Sequence, residues 1–277
     1  MKKILLPVLA LLVTVFSCTA QLKEERNVGS FTGVKSNGSF AVYLHQGDAE
    51  KIVIEAESGP IEKIITEVEG NTLKIYTEDD SWFKTMNFKN VNIYVTFRRL
   101  NEITGAGSGS VRLVSGLKSD NVVLNSSGSG SLYCEKPVES TGDLKLSNTG
   151  SGGCKIESSL TAKNKMSVVN TGSGGVRVEE VYADELNVKN TGSGSMKLNS
   201  GRIRHQSVNL TGSGSFQAEN VVSQTCNIRK SGSGSIHINV ENELTGSSSG
   251  SGSVYVKGDR PRIDFHSSGS GRIKHVN

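Results

Sequence analysis

Apolar and polar residues alternate in short runs from residue 103 to the end of the chain. Each run is interrupted by a Gly-Ser-Gly triplet, and the apolar positions keep a constant distance from it. Two positions after the second glycine, the column reads Val111, Leu132, Cys154, Val176, Met196, Phe216, Ile236, Val254 and Ile273. Alternation with a period of two is typical of β-strands that bury one face, so this region is predicted to be all-β.

The triplet recurs nine times, and its middle serines are 18–22 residues apart. A fixed period of about 20 residues indicates a solenoid of stacked coils. Coils of this length suit a parallel β-helix with three short faces, in which equivalent residues of adjacent coils lie about 4.8 Å apart. The third face is predicted to contain Leu117, Val138, Leu160, Val181, Ile203, Val222 and Val240.

Both glycines of each triplet are in phase with the inward positions, whereas the middle serine points outward. The triplet therefore predicts a corner where the backbone bends and leaves no room for a side chain. Asn148, Asn170 and Asn190 share one inward column and are expected to form an amide ladder. Cys134 and Cys154 lie in adjacent coils but two residues apart along the strand, a Cα separation of about 8 Å that precludes a disulfide.

Residues 26–100 are less regular but related to the coils. The segment "SNGSFAVYL" at 36–44 resembles "NTGSGSMKL" at 190–198, and "KIVIEA", "TLKIYTE" and "VNIYVTF" indicate further strands. Pro60 to Val68 is predicted to form one short helix with proline in its first turn. Asp79 to Asn87, which contains the only Trp, is predicted to be a protruding loop. No domain boundary is apparent, and these irregular N-terminal coils are expected to cap the stack.

The first residues have the features of an export signal. Lys2 and Lys3 precede an apolar run over 4–16 that is too short for a membrane anchor. The run ends in "VFSC", which resembles a bacterial lipobox and predicts removal of residues 1–17 and lipidation of Cys18; cleavage after Ala20 is the alternative. Residues 18–25 would then be a tether, and 26–277 a single domain of an outer-membrane lipoprotein that faces the periplasm or the surface.

Composition argues against several function classes. The chain without residues 1–17 carries 29 Lys and Arg against 27 Asp and Glu, so nucleic acid is not an expected partner. Each Gly-x-Gly leads into a strand rather than a helix, unlike a phosphate-binding loop. The triplets lack the Asp of calcium-binding β-rolls, and the five His have no metal-ligand spacing. Accordingly no catalytic residue, metal or cofactor is predicted.

Outward side chains just after the triplet form a mixed cationic and aromatic column. We call seven of them the stripe: Arg112, Tyr133, Lys155, Arg177, Lys197, His237 and Tyr255. An acidic column that includes Glu135, Glu157 and Glu179 lies two residues further along. One interpretation is charge pairing on a solvated face, where each exposed pair contributes about 0–1 kcal/mol. The other is a flat surface that binds a glycan or a protein, with tyrosine faces available for stacking.

The same residues allow an enzyme interpretation. Glu135, Glu157 and Glu179 would lie about 5 Å apart, near the carboxylate spacing of retaining glycosidases, and a polysaccharide-active β-helix enzyme is therefore an alternative. A purely structural envelope protein is another. Regular stacking gives the 5 Å spacing without any catalytic requirement, so a non-catalytic role is preferred. Self-association into a homo-oligomer is a further interpretation, because both ends of a β-helix are open sheet edges.

Three motifs together resemble a known family. They are "VGSFTGVKSNGSFAVYLHQGD", "VNIYVTFRRLNEITGAGSGSV" and the series of "TGSGS" coils. Over residues 26–277 the chain is similar to the head-GIN-domain family, adhesin-like exported lipoproteins of Bacteroidetes. The resemblance implies a right-handed parallel β-helix on an exported lipoprotein with an adhesion or binding role. It carries no catalytic motif. The "KEE" at 23–25 is only a loose match to a surface-export signal, so periplasmic and surface display both stay open.

Overall fold

The computed structural model describes residues 22–77 and 88–276. The N-terminal strands are β1 (Leu22–Asn27), β2 (Gly33–Gly38), β3 (Ala41–Gln46), β4 (Lys51–Ala56), β5 (Ile64–Glu69), β6 (Thr72–Thr77) and β7 (Asn92–Phe97). The next seven are β8 (Glu102–Gly107), β9 (Ser110–Leu113), β10 (Leu117–Ser119), β11 (Val122–Gly128), β12 (Ser131–Cys134), β13 (Val138–Ser140) and β14 (Leu144–Gly150). The last eight are β15 (Cys154–Gly172), β16 (Val176–Gly192), β17 (Met196–Gly212), β18 (Phe216–Ser231), β19 (Ile236–Ser249), β20 (Val254–Lys257), β21 (Arg262–Ser268) and β22 (Ile273–His275).

From β8 onward the strands stack as a parallel β-helix of three-sided coils. Each strand pairs in parallel with the equivalent strand one coil later, for example Leu124 with Leu146 and Leu146 with Val168. The solenoid has about nine turns of roughly 20 residues, which confirms the predicted fold class. Strands β15 to β19 run through two corners without interruption because the pairing continues around each bend.

The N-terminal coils continue the sheet out of chain order. Strand β2 lies between β6 and β8, and β3 lies between β7 and β9, all in parallel. Beyond them the direction reverses, since β4 is antiparallel to both β7 and β1, and β5 is antiparallel to β6. Phe40, Val42 and Leu44 are buried as predicted. Strand β1 also starts the fold at Leu22, four residues before the predicted boundary at 26.

The helix predicted from Pro60 to Val68 is wrong. Only Ile61–Lys63 forms a 3₁₀ turn, and the chain continues as β5. Four β-branched residues in this strand favour extended backbone, and pairing with β6 satisfies its backbone groups. The predicted loop from Asp79 to Asn87 lies outside the described residues.

The two ends of the solenoid differ. At the N-terminal end Arg26 connects β1 to β5: its guanidinium donates to the carbonyl oxygens of Ile64 and Ile61 and to Thr66 Oγ1, and it pairs with Glu24 at 2.8 Å. At the C-terminal end, β21 and β22 each pair on one side only within the described residues. Ile263 there is 42% exposed. Strands β1 and β5 also pair on one side only within the described residues, so both ends have open strand edges, and the N-terminal end differs by the Arg26 contacts that join its two edge strands.

The Gly-Ser-Gly corners have the predicted geometry. The first glycine of each triplet has φ between 91° and 124°, a region that side chains rarely adopt. The second glycine packs against the carbonyl oxygen of its equivalent one coil earlier, as Gly194 does against Gly174. A Cβ atom at any of these second positions from Gly130 onward would lie less than 3.0 Å from that oxygen. Each coil thus needs glycine at both places, for two different reasons.

The inward asparagine column forms the expected ladder. Asn148 Nδ2 donates to Asn170 Oδ1 at 2.8 Å, and Asn170 Nδ2 donates to Asn190 Oδ1 at 3.0 Å. Each amide also donates to the carbonyl oxygen of the second glycine in its own corner. The same column continues through Leu210 to Lys230, which is 4% exposed and whose pKa is lowered by burial. The corner therefore accepts either paired polar groups or an apolar side chain.

The three described cysteines are buried free thiols. Cys134 is in register with Ile156 rather than with Cys154, which confirms the predicted offset. Burial raises the pKa of Cys154 to about 12 and that of Cys134 further, so both thiols stay protonated at neutral pH.

On the third face all predicted residues are buried except Val222. Val221 is buried in its place, because it pairs with Gly201 and so continues the inward column of Val181.

Candidate functional site

All seven stripe residues lie in one straight column across successive coils. The register of the parallel strands runs through Arg112, Tyr133, Lys155, Arg177, Lys197, Gln217, His237, Tyr255 and Lys274. Neighbours in such a column are separated by the strand spacing of about 4.8 Å. The stripe residues from Arg112 to Tyr255, 143 residues apart in sequence, therefore form one continuous surface parallel to the solenoid axis.

The column extends further than the sequence analysis predicted. Tyr43 is in register with Arg112 on one side and with Tyr94 on the other, and the two tyrosine rings stack at 5.1 Å. The alignment of "SNGSFAVYL" with "NTGSGSMKL" already makes Tyr43 the equivalent of Lys197, so this residue could have been found. Tyr94 could not, because β7 joins the column out of chain order.

The tyrosine faces in the stripe are largely occupied by column neighbours. The Arg112 guanidinium lies over the Tyr133 ring, 4.0 Å from its centroid. Tyr255 stacks on His237 at 4.4 Å, and Lys274 Nζ lies 5.4 Å from the Tyr255 centroid. Rings repeated at the strand spacing stack along the solenoid axis rather than facing outward. The expectation of two free stacking faces is therefore corrected for Tyr255, whose neighbours come from the preceding and the following coil.

Carboxylates of the acidic column pair with three of the stripe cations, two residues further along in two cases and from the next coil in the case of Arg112. Lys155 Nζ pairs with Glu157 at 2.6 Å, Arg177 Nε pairs with Glu179 at 2.8 Å, and Arg112 Nη1 pairs with Glu135 at 3.5 Å. Lys197 differs, because its coil has Asn199 at the acidic position. Within the described residues Lys197 makes no ion pair. Its ammonium group is therefore free to contact solvent or a ligand.

The Asn199 side chain contacts the acidic column rather than Lys197. Its amide donates to Glu179 of the previous coil, and Glu179 also accepts from Arg177. These two hydrogen bonds, that from Arg177 first, lower the pKa of Glu179. A catalytic acid needs a raised pKa, so this carboxylate has the wrong environment for that role.

A shallow groove of about 400 Å³ runs beside the middle of the stripe. Its walls include Tyr133, Lys155, Arg177 and Lys197, and small residues two positions earlier form its floor: Ser131, Gly153, Gly175 and Ser195. The two glycines deepen the floor beside the two ion-paired cations. We refer to this feature as the groove.

Within the described ranges no three His, Cys, Asp or Glu side chains are close enough together to hold a metal ion. The same part of the chain contains no helix with the length and hydropathy needed to cross a membrane.

Solved structures with the same architecture come from two Parabacteroides species. A "putative adhesin" from Parabacteroides distasonis ATCC 8503 aligns with a TM-score of 0.67 and 16% identity, over 94% of this chain and 98% of that chain. A "putative adhesin" from Parabacteroides merdae ATCC 43184 aligns at 0.61 and 17%, over 93% and 96%. A "putative lipid binding protein" from Parabacteroides distasonis ATCC 8503 aligns at 0.62 and 24%, over 93% and 97%. At these identities the likeness establishes the fold.

No curated protein matches the chain. A family match covers most of it, over residues 30–159 and 138–259, two segments that overlap in the middle of the solenoid. Together they include every stripe residue and the interleaved N-terminal coils. The chain belongs to the family described as "Putative auto-transporter adhesin, head GIN domain".

Proposed function

We propose that this protein is an exported, non-catalytic binding module of the cell envelope, adhesin-like in role, whose stripe contacts a glycan or protein ligand. The observation that carries the proposal is the groove, in which three cations of successive coils lie over a floor of Gly and Ser. The family description and the names of the structural relatives support binding rather than catalysis. The carboxylates beside the stripe form ion pairs with its cations, which supports a non-catalytic role.

Replacing Lys155, Arg177 and Lys197 by alanine together should abolish ligand binding while leaving the fold intact. These side chains are exposed, and their ion pairs contribute little to stability. The measurement is a screen of residues 19–277 and of the variant on an array of glycans and matrix proteins. We expect saturable binding by the wild type and none by the variant.

The matched control replaces Lys165, Lys189 and Arg229, three exposed cations on another face of the solenoid. It removes the same charge but leaves the stripe unchanged, so it should bind like the wild type. Equal loss in the control would mean that overall charge alone is responsible. A stripe variant that keeps the interaction would place the ligand elsewhere.

We also propose that the module is anchored in the outer membrane through a lipid on Cys18 after removal of residues 1–17. The first strand begins at Leu22, so residues 18–21 would be the tether, followed by the single β-helical domain. Because β1 is an edge strand at the N-terminal end of the solenoid, the anchor would leave the stripe extending away from the membrane. Periplasmic and surface display are both compatible with this arrangement.

Cys18→Ala should release the protein from the membrane. Expressed in a Gram-negative host with an alkyne-labelled fatty acid, the wild type should incorporate the label and partition into detergent, and the variant should do neither. Cys226→Ala, which removes a buried thiol, serves as the control and should be labelled normally. Label retained by the Cys18 variant would contradict the anchor.

A further inference from the structure

We infer that the ligand of the groove is a linear glycan that carries acidic groups, and that Lys197 supplies the charge that selects it. This inference rests on the proposed function, since it names the ligand class for the same site. It is carried by three features of the groove: its shape, its distribution of charge and the aromatic ring at one end.

The shape of the groove depends on two glycines. Most coils carry serine at this floor position, as at Ser131 and Ser195, but Gly153 and Gly175 stand in the middle. A Cβ atom at these glycines would lie 3.0 and 3.1 Å from the carbonyl oxygens of Gly175 and Ser195. The recess therefore lies over bare backbone and follows successive coils along the solenoid axis, which suits an extended polymer.

The cationic side chains of the stripe line the groove, whereas the neighbouring carboxylates lie on the opposite side of these cations. Glu157 and Glu179 lie two residues after their cations, whereas the glycine floor lies two residues before them. Among the described residues that line the groove there is no carboxylate, and three carry a cationic side chain. Lys155 and Arg177 are already paired, so Lys197 is the position at which an anionic group gains a counter-ion without displacing one.

The dimensions favour a sugar polymer over a single anion. Three coils at the strand spacing place the first and last cations roughly 10 Å apart, which matches an oligosaccharide better than one carboxylate or phosphate. Tyr133 closes one end, with Arg112 on one face of its ring and the groove on the side of Lys155. The outward edge of this ring and its hydroxyl group stand next to hydrogen-bond donors, so they can contact the C–H groups and hydroxyl groups of a sugar.

The test uses three probes of matched length against residues 19–277, a segment that contains every described strand. They are an oligogalacturonate, its methyl ester with the same sugar backbone and no charge, and inorganic polyphosphate. Isothermal titration at low ionic strength should show binding of the oligogalacturonate alone. Added salt should weaken that binding, because the deciding interaction is an exposed charge pair.

Lys197→Ala should weaken binding of the oligogalacturonate about five-fold, the upper range for one exposed pair. Gly175→Ser should weaken it at least as much without changing any charge, because it fills the floor with the residue that other coils already accept. Lys189→Ala, a control on another face, should leave the affinity unchanged. The melting temperatures of the two lysine variants should stay at the wild-type value, and circular dichroism should show that Gly175→Ser keeps the fold, since its Cβ would lie 3.1 Å from the Ser195 carbonyl oxygen.

Each contrary result has a defined meaning. Equal binding of the methyl ester, or an unchanged affinity in Lys197→Ala, would overturn the inference while the proposed function stands. Equal binding of polyphosphate would show that charge alone attracts the ligand and would also overturn it. No binding of any of the three probes would overturn the inference too, and the array screen decides separately whether the stripe binds another ligand.

Discussion

Gly194→Ala is expected to lower the free energy of unfolding by about 4 kcal/mol, the largest effect of any single substitution considered. The new Cβ would lie less than 3.0 Å from both the Gly174 carbonyl oxygen and Asn170 Nδ2. Neither neighbour can move freely, because Asn170 is held in the amide ladder and Gly174 in the preceding corner. Relief would require opening the stack at that coil.

The measurement is thermal and urea unfolding followed by circular dichroism, with Ser193→Ala as the control. Ser193 is the outward serine of the same triplet and is exposed, so removing its hydroxyl should change stability by less than about 0.5 kcal/mol. If the two variants unfolded alike, the second glycine would not be needed for close packing. The need for glycine at the corner would then come from backbone conformation alone.

Asn170→Leu is expected to cost about 3 kcal/mol, because it breaks the amide ladder in the middle. It removes the donor to Asn190 Oδ1 and to the Gly174 carbonyl oxygen, and it takes away the acceptor of Asn148 Nδ2. A buried polar group left without a partner costs about 1–3 kcal/mol. The loss should appear as a lower urea midpoint with an unchanged dependence on urea concentration.

Asn148→Leu provides the comparison and should cost only about 1 kcal/mol. Asn148 Oδ1 has no hydrogen-bond partner, so this variant removes one unpaired atom while leaving another on Asn170. Leucine is compatible with the column, since Leu210 occupies it two coils beyond Asn170. Equal losses in the two variants would mean that side-chain volume, rather than the ladder, sets the stability of the corner.

Much of the fold could be predicted because parallel coils convert sequence spacing directly into position in space. Asn148, Asn170 and Asn190 share one offset from the triplet, and the same offset places them in contact. The same reasoning placed Lys155, Arg177 and Lys197 in one column. The period also excluded a disulfide between cysteines in adjacent coils.

Elsewhere the prediction failed where strand pairing departs from the regular coil-to-coil repeat. Pro60 to Val68 looked helical in isolation, but β5 pairs with β6 and becomes a strand. Val222 was assigned inward from local spacing, whereas the register opposite Gly201 turns Val221 inward. Tyr94 lies in the same column as the stripe only because β3 pairs with β7, 51 residues further along the sequence.

The sequence by itself determined the coil, the corners, the inward columns and the members of the stripe, because a repeat of fixed length leaves one in-register way to stack. Only the tertiary structure decided how the stripe side chains meet. It placed Arg112 on the face of Tyr133, paired Lys155 and Arg177 with carboxylates, and left Lys197 with Asn199 beside it. These contacts depend on rotamers and on neighbours in other coils, which residue spacing does not encode.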